Sequence, residues 1–149
     1  MKKPSLGLLK RKAWKLCSEY IRRRATDLDG NTECVACGKV KHWKKFQAGH
    51  LVQGRHLGIL FDERGIWPCC YGCNIGKHGN YREYDAFIDN KFGRGYRLAL
   101  IDDLRRLSKE PTKWTREQYY EPIEIYKGKL LQLQGLNAEK EQVYGNVNG

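Results

Sequence analysis

The sequence predicts a small α+β protein in which a compact central segment lies between an N-terminal and a C-terminal helix. Apolar residues recur at steps of three and four near both ends of the chain, which is the periodicity of an amphipathic helix. Residues 32–80 lack this stripe, are dense in Cys, Gly and His, and contain two short extended runs. With 149 residues, the chain has room for one domain with a modest core. We expect this domain over residues 1–135 and a flexible polar tail over 136–149.

The N-terminal helix is predicted from about residue 5 to 26, with one apolar and one basic face. The apolar face carries Leu6, Leu9, Ala13, Leu16 and Tyr20. The basic face carries Lys10, Arg11, Lys15, Arg22 and Arg23. The turn-forming residues 27–31 then end the helix.

The charge of the chain predicts a polyanionic partner. There are 28 Lys and Arg residues against 17 Asp and Glu, a net charge of +11. Nucleic acid fits because Lys and Arg that neutralise phosphates release counterions without reading any base. We expect no membrane binding, because the apolar stripe of the N-terminal helix is needed for the core. A basic face that is only solvated, with no partner, is the alternative.

Nothing in the sequence predicts export or membrane insertion. No apolar run approaches the roughly 18 residues that span a bilayer, and the run that follows the basic N-terminus is too short for a signal peptide. We therefore expect a cytoplasmic protein, in a compartment where thiols stay reduced. The six cysteines are then metal ligands or free thiols rather than disulfides.

The strongest motif is a pair of C-x-x-C sequences, formed by Cys34, Cys37, Cys70 and Cys73. Each C-x-x-C places two sulfurs on one tight turn, and two such turns supply the four thiolates that Zn²⁺ prefers. Four cysteines leave no ligand position for water, so we expect one structural zinc per chain. Cys69 could replace Cys70, but only Cys70 keeps the two-residue spacing. Cys17 has no evident partner.

The 32 residues between the two cysteine pairs carry a second pattern. His50 lies on one extended run (Phe46–Val52), Gly54–Gly58 forms a basic loop, a second extended run lies around Ile66–Trp67, and Asn74 follows the last cysteine. Strand with His, loop, strand, and then a helix that opens with Asn is the order of a ββα-metal (HNH-like) centre. The predicted fold is therefore α+β, with a small ββα-metal centre held by the zinc site and flanked by helices.

The chemistry of phosphodiester hydrolysis matches these two residues. An imidazole can take a proton from water near neutral pH, so His50 is the candidate general base. The amide oxygen of Asn74 can hold a hard ion such as Mg²⁺ or Mn²⁺, which offsets charge on the phosphate. Each residue alone is a weak signal. Their placement relative to the two cysteine pairs is what favours catalysis.

Three helices are predicted after the cysteine region. The first two are short, separated by Gly93 and Gly95, and carry apolar residues at Tyr84–Ile88 and Leu100–Leu107. Residues 115–118 have the form of a capping box, so a last helix should begin there, with a kink or restart at Pro122. Its apolar stripe is Tyr119, Ile123, Tyr126, Leu130 and Leu133. We expect this stripe to pack on the N-terminal helix, although the spacing also suits a dimer seam.

The chain resembles the phage NinG (Rap) recombination proteins over about residues 9–135. The motifs that carry the resemblance are Cys34-x-x-Cys37, Ala48-Gly49-His50, Phe61-Asp62-Glu63-Arg64, Cys70-x-x-Cys73-Asn74 and Gly79-Asn80-x-x-x-Tyr84. The zinc and active-site layout is also similar to that of phage endonuclease VII. The resemblance implies a structure-selective DNA endonuclease that cuts branched recombination intermediates such as four-way junctions and D-loops, in the host cytoplasm if a phage encodes it. A homodimer and contacts with other recombination proteins are left open.

Two glycines depart from the pattern of these nucleases. In endonuclease VII an acidic residue precedes the catalytic His, and this position is Gly49; many HNH motifs have a middle Asn where this chain has Gly65. Asn74 is then the one protein ligand that we predict for a catalytic ion. His78, Asp62 and His56 are left open as second ligands or helpers. A zinc-stabilised protein that binds branched DNA without cutting it is the alternative function.

Five basic residues are candidates for phosphate contacts. Arg55, Arg64 and Lys77 flank the predicted site, and Arg22 and Arg23 lie on the basic helix. Arg suits bidentate phosphate binding. For each of the three flanking residues, a solvated surface charge is the alternative interpretation.

Overall fold

The computed structural model describes residues 2–147, with side chains as far as position 145. The elements are α1 (Leu6–Arg23), β1 (Asn31–Glu33), β2 (Val40–His42), β3 (Phe46–His50), β4 (Ile66–Cys70), α2 (Tyr81–Phe92), α3 (Arg94–Leu107) and α4 (Arg116–Val147). This order confirms the α+β class and the flanking helices. No helix between residues 2 and 147 is long and apolar enough to cross a membrane.

Helix α1 begins at a Ser5 cap, whose Oγ accepts a hydrogen bond from the Leu8 amide at 3.2 Å. It ends at Arg23, three residues before the predicted end. Its buried row is Leu9, Ala13, Cys17 and Ile21. Leu6 is 46% exposed, and Leu16 and Tyr20 are half-buried, so the predicted apolar face is wrong in part. Both rows are apolar in the sequence, and the position of α4 decides which of them is buried.

Two antiparallel hairpins form the centre. Strands β3 and β4 pair with Ala48 opposite Pro68, which confirms the two predicted extended runs. Strands β1 and β2 pair with Thr32 opposite Lys41, and the sequence analysis missed this short hairpin. A single wide helical turn at Gly72–Gly76, the Asn74 turn, follows β4. The predicted strand, loop and strand are therefore present, but one helical turn with Asn74 as its third residue takes the place of the predicted helix that opens with Asn74.

Helices α2 and α3 cover the centre on one side. Tyr84 and Ile88 of α2 and Leu100 and Leu104 of α3 are buried together with Phe46 of β3. The break between the two helices falls at Gly93, as predicted, with a positive φ of 94° that favours glycine. The buried Tyr84 hydroxyl donates to the Gly49 carbonyl at 2.8 Å. This bond ties α2 to the strand residue that precedes His50.

Helix α4 begins at the predicted capping box. The Gln118 amide donates to Thr115 Oγ1 at 3.3 Å, and the Thr115 amide donates to Gln118 Oε1 at 2.7 Å. The helix continues through Pro122 without a restart. Its first half packs on α1, with Tyr119 and Ile123 against Leu9 and Ala13, as predicted.

The C-terminal half of α4 differs from the prediction. The tail predicted over 136–149 is helical as far as Val147, and residues 148 and 149 lie outside the described part of the chain. Ala138, Glu139, Lys140 and Glu141 are strong helix formers, which extend a helix that is already nucleated.

The contact between α1 and α4 gives a first prediction. Ile123 is 1% exposed and Ile125 is 46% exposed on the same helix. Because Ile123→Ala leaves a cavity against α1, we expect it to lower the free energy of unfolding by about 2–5 kcal/mol. Ile125→Ala should change it by about 0.5 kcal/mol or less. Urea unfolding measures both, and equal losses for the two variants would contradict this packing.

Candidate functional site

The four cysteines of the two C-x-x-C motifs converge. The Sγ atoms of Cys34, Cys37, Cys70 and Cys73 all lie within 4.8 Å of one another. The Cys37 and Cys70 sulfurs are 3.8 Å apart. Two thiolates bound to a tetrahedral zinc, with bonds of about 2.3 Å, are about 3.8 Å apart. The cluster therefore has the dimensions of a structural metal site such as a zinc site, as the cysteine spacing predicts.

Hydrogen bonds around the cluster orient the sulfurs. The Cys70 amide donates to Cys34 Sγ at 3.3 Å, and Asn80 Nδ2 donates to Cys73 Sγ at 3.4 Å. The Gly38 amide closes the first turn onto the Cys34 carbonyl at 3.0 Å. Such outer contacts stabilise thiolates and hold metal ligands in place. The role of Asn80 could not be read from the sequence, because seven residues separate it from Cys73.

Cys69 lies beside the cluster and outside the set of four. A hydrogen bond with the Cys69 thiol lowers the pKa of Cys34 to about 3, and a hydrogen bond with Cys34 is the largest cause that raises the pKa of Cys69. Cys69 therefore stays protonated as a donor, and the assignment of Cys70 by its spacing agrees with the geometry. Burial raises the pKa of Cys73 to about 12, so four thiolates need a cation between them.

Cys17 is far from this cluster. It is fully buried between α1 and α4, and burial raises the pKa of its thiol to about 12. A hydrogen bond with Tyr126 acts in the opposite direction. Cys17 is thus a core residue and an inert thiol.

An open cleft of about 780 Å³ adjoins the Asn74 turn. Its walls are α1, β3, the loop after β3, and the Asn74 turn. The lining residues are Trp14, Ser18, Arg22, Phe46, Gln47, Ala48, His50, Gln53, Gly54, Arg55, Asn74, Ile75, His78 and Tyr81. None of these is Asp or Glu, so the cleft is basic. His50 and Asn74, which are 24 residues apart in the sequence, share this cleft.

His50 has a defined tautomer. Its Nε2 lies 3.1 Å from the Leu60 carbonyl oxygen. Because a carbonyl can only accept, Nε2 carries the proton and Nδ1 keeps the lone pair. The ring stacks on Trp14, with centroids 5.0 Å apart. Burial, aided by the charge of Arg55, lowers the pKa of His50, so the imidazole is neutral at neutral pH.

Asn74 is held by Gln47. Asn74 Nδ2 donates to Gln47 Oε1 at 2.6 Å, which leaves the Asn74 Oδ1 atom without a partner among the described residues. That oxygen lies 3.2 Å from where a Cβ on Gly49 would be. An amide oxygen beside the strand residue that precedes His50 is available to a hard cation.

The two glycines that depart from the nuclease pattern are closely packed. A Cβ on Gly49 would lie 3.0 Å from Cys69 Cβ, in addition to its contact with Asn74. A Cβ on Gly65 would lie 2.7 Å from Leu104 Cδ1 of α3. Neither position has room for a larger side chain without displacement of its neighbours. Close packing therefore favours glycine at both positions.

Of the three residues left open as second ligands for a catalytic ion, only His78 lines the cleft. His78 lines the cleft, but the Asn74 turn ends at Gly76 and His78 has a φ of +49°, so the regular helix that would pair it with Asn74 is absent. Asp62 forms an ion pair with Arg64 at 2.7 Å and does not line the cleft. His56 is exposed and also lies outside the cleft lining.

Two of the five residues predicted to contact phosphate line the cleft, and three do not. Arg22 and Arg55 line the cleft, and Arg55 lies over the Trp14 ring at 5.0 Å. Arg64 is paired with Asp62 and with Asp103 at 2.9 Å. Lys77 and Arg23 are not among the lining residues, and Arg23 pairs with Glu19 at 3.0 Å.

Sequence reasoning missed five lining side chains: Trp14, Ser18, Gln47, Gln53 and Tyr81. One signal was available. Trp14 and Ser18 stand at steps of four with Arg22, so they share a face of α1. The position of Tyr81 depends on how α2 packs against the loop after β3, which no local pattern encodes.

The fold and site define a mixed α+β protein with a four-cysteine, metal-type cluster next to a basic cleft. The family model described as "Bacteriophage Lambda NinG protein" matches residues 3–136, and the chain belongs to this family. The resemblance to NinG that the sequence motifs indicate is thus confirmed.

Phage proteins named NinG are similar over most of the chain. It is 28% identical to "Protein ninG" of Salmonella phage P22 over 130 residues, which is 87% of this chain and 59% of that protein. It is 27% identical to "Protein ninG" of Escherichia phage 933W over 130 residues, 87% of this chain and 60% of that protein. The chain spans about 60% of the length of these curated relatives. No solved structure matches the chain.

The cysteine cluster gives a second prediction, which separates two adjacent residues. Cys70→Ser removes a member of the cluster, so we expect it to lose the bound metal and to melt at a lower temperature. Cys69→Ala should retain about one metal per chain, because Cys69 is not one of the four ligands. Elemental analysis and thermal melting measure these outcomes. Metal retained by Cys70→Ser and lost by Cys69→Ala would reverse the assignment.

Proposed function

We propose that this protein is a zinc-stabilised, metal-dependent endonuclease that hydrolyses phosphodiester bonds in branched DNA. The observation that carries the proposal is the meeting of His50 and Asn74 in one basic cleft. His50 has a free Nδ1 lone pair and Asn74 has a free Oδ1. Zinc bound by the four cysteines has a structural role, because four thiolates leave no open position on the ion.

His50 is the proposed general base. The Leu60 carbonyl and the Trp14 ring fix the orientation of the imidazole. With Nε2 protonated, Nδ1 accepts a proton from a water molecule that attacks phosphorus. A pKa lowered by burial keeps the base unprotonated at neutral pH. The bond from phosphorus to the leaving oxygen then breaks, and the leaving oxygen takes a proton from solvent.

Asn74 is the proposed protein ligand for a catalytic Mg²⁺ or Mn²⁺. Such an ion, when bound, offsets negative charge on the phosphate and on the leaving oxygen. Gln47 positions Asn74 by accepting from its Nδ2, so that Oδ1 remains the donor for the ion. One amide oxygen suits Mg²⁺, which keeps several waters and is usually completed by substrate phosphate.

The charge of the cleft favours nucleic acid as substrate. Arg22 and Arg55 line it, and no lining residue is acidic. The choice of branched DNA and of a recombination role rests on the NinG family membership and on the resemblance of the cysteine, His50 and Asn74 motifs to endonuclease VII. We propose DNA as the partner on both grounds.

One observation favours a second candidate function. None of the described residues that line the cleft carries a carboxylate, and the acidic residue that endonuclease VII has at the position of Gly49 would displace Cys69 and Asn74 here. A protein with this cleft could bind branched DNA through Arg22 and Arg55 without holding a catalytic ion. The alternative is therefore a zinc-stabilised branched-DNA-binding protein without catalytic activity.

A third prediction separates the two functions. We expect His50→Ala and Asn74→Ala each to abolish most cleavage of a labelled four-way junction in Mg²⁺ or Mn²⁺, because losing a general base costs about 10²–10⁴ in rate. Zinc content, melting temperature and junction affinity should stay close to those of the wild type, because neither residue belongs to the cysteine cluster.

His56→Ala and Asn90→Ala are the matched controls, since both residues are exposed and outside the cleft lining. They should cut at the wild-type rate. Equal cutting by His50→Ala and the wild type would exclude His50 as the base. Tight binding by the wild type with no cutting in any divalent ion would establish the binding function instead.

A fourth prediction concerns pH. The cleavage rate requires unprotonated His50, and its pKa is lowered from 6.5. The midpoint of the single-turnover rate against pH should therefore lie below 6.5, and the rate should fall with decreasing pH as His50 is protonated. Arg55→Gln removes a charge that lowers this pKa, so its profile should move to higher pH at saturating DNA. A midpoint above 6.5 in the wild type would contradict the buried neutral base.

A further inference from the structure

The β1–β2 hairpin and the turn that follows it carry a basic surface, which adjoins the cleft at Arg22. The Trp43 surface consists of Arg22, Arg23, Lys41, Trp43, Lys44 and Lys45. The three lysines are exposed, and none of them forms an ion pair among the described residues. Unpaired surface lysines at this density favour a polyanion over a protein partner of mixed charge.

The Trp43 ring organises these cations. The guanidinium carbons of Arg22 and Arg23 lie 5.1 and 5.2 Å from the ring centroid, and Lys44 Nζ lies 5.8 Å from it. These are cation–π distances. Because three cations surround the ring, Trp43 is not free to stack on an unpaired base. The surface is thus suited to a sugar–phosphate backbone, which it would bind without reading sequence.

Arg22 joins this surface to the cleft. Its Nε donates to the Ser18 carbonyl at 3.0 Å and its Nη1 lies 3.4 Å from the Phe46 carbonyl, while its guanidinium lies over Trp43. Ser18 and Phe46 both line the cleft. A DNA backbone that leaves the cleft at Arg22 therefore meets the Trp43 surface directly.

Helix α1 gives a measure of the distance between His50 and this surface. His50 stacks on Trp14, and Arg22 is eight residues further along the helix. A rise of 1.5 Å per residue makes this about 12 Å, or about three to four base-pair steps of 3.4 Å.

We propose that the Trp43 surface binds the phosphate backbone of one duplex arm of the substrate, beginning about four base pairs from the scissile phosphate. This inference rests on the proposed function for the position of the cut, and on the contacts of Arg22 and Trp43 for the surface itself. The DNA that leaves the cleft on this side is held by its backbone charge and not by its sequence.

The test compares two triple variants of equal charge. The hairpin variant is Lys41→Gln, Lys44→Gln and Lys45→Gln. The control variant is Lys109→Gln, Lys113→Gln and Lys140→Gln, which changes three exposed lysines that do not line the cleft. Fluorescence anisotropy measures the Kd for a four-way junction as salt is varied, and thermal melting and zinc content verify the fold of both.

We expect the hairpin variant to raise the Kd at about 100 mM salt by about tenfold or more, and to reduce the slope of log K against log salt by about 2–3, since each lost phosphate contact removes about 0.9. The control variant should keep the wild-type slope. At saturating DNA the cleavage rate of the hairpin variant should match the wild type, because the surface binds and does not react. A hairpin variant with the slope of the control would overturn the proposal.

Methylphosphonate substitution locates the contact. Neutral linkages are placed about four to eight base pairs from the mapped cut, in one arm of the junction at a time. They should weaken binding of the wild type when they are in one particular arm and have no effect in the others. The hairpin variant should bind the junction equally tightly with and without the neutral linkages in that arm. Additive losses on every arm would overturn the proposal. If the wild type binds and never cuts, the nuclease function fails while the salt slope still tests this surface.

Discussion

The convergence of the Cys34–Cys37 and Cys70–Cys73 pairs is the constraint on which the centre depends. It joins the turn after β1 to the end of β4, and so fixes where the Asn74 turn begins. Zinc binding by small thiolate-containing domains is worth about 10–16 kcal/mol, while the net stability of a whole domain is about 5–15 kcal/mol. The free energy of binding a metal in this cluster is therefore comparable to the whole free energy of unfolding of the chain. The same contacts also place the Asn74 side-chain oxygen.

Helix α1 serves two surfaces at once. Its Leu9–Ile21 row packs on α4, and its Trp14, Ser18 and Arg22 row forms one wall of the cleft. A third contact fixes its end, because Arg24 donates to the Ile66 carbonyl at 2.8 Å and pairs with Glu63 at 3.6 Å. Since Tyr126 of α4 also donates to Glu63 at 3.0 Å, the cleft wall, β4 and α4 are held as one assembly.

Two glycines of the centre are closely packed by their neighbours. Cys69 and Asn74 occupy the space beside Gly49, and Leu104 occupies the space beside Gly65. Both positions are therefore determined by close packing of β3 on β4 and of α3 on the centre. His50 and Asn74 both line the cleft, and each is oriented by one neutral hydrogen bond, from His50 to Leu60 and from Asn74 to Gln47.

The sequence by itself determined the features that local rules encode. The two-residue spacing within each cysteine pair predicted the metal-type cluster, residues 115–118 predicted the start of α4, and two short extended runs predicted β3 and β4, because each signal lies in neighbouring residues of the chain. Only the tertiary structure decided which apolar row of α1 is buried, that Arg64 pairs with Asp103 while Arg22 and Arg55 line the cleft, and that Gln47 holds Asn74. These contacts join residues that are distant in the chain, and their partners are chosen by the packing of whole elements, which no local pattern records.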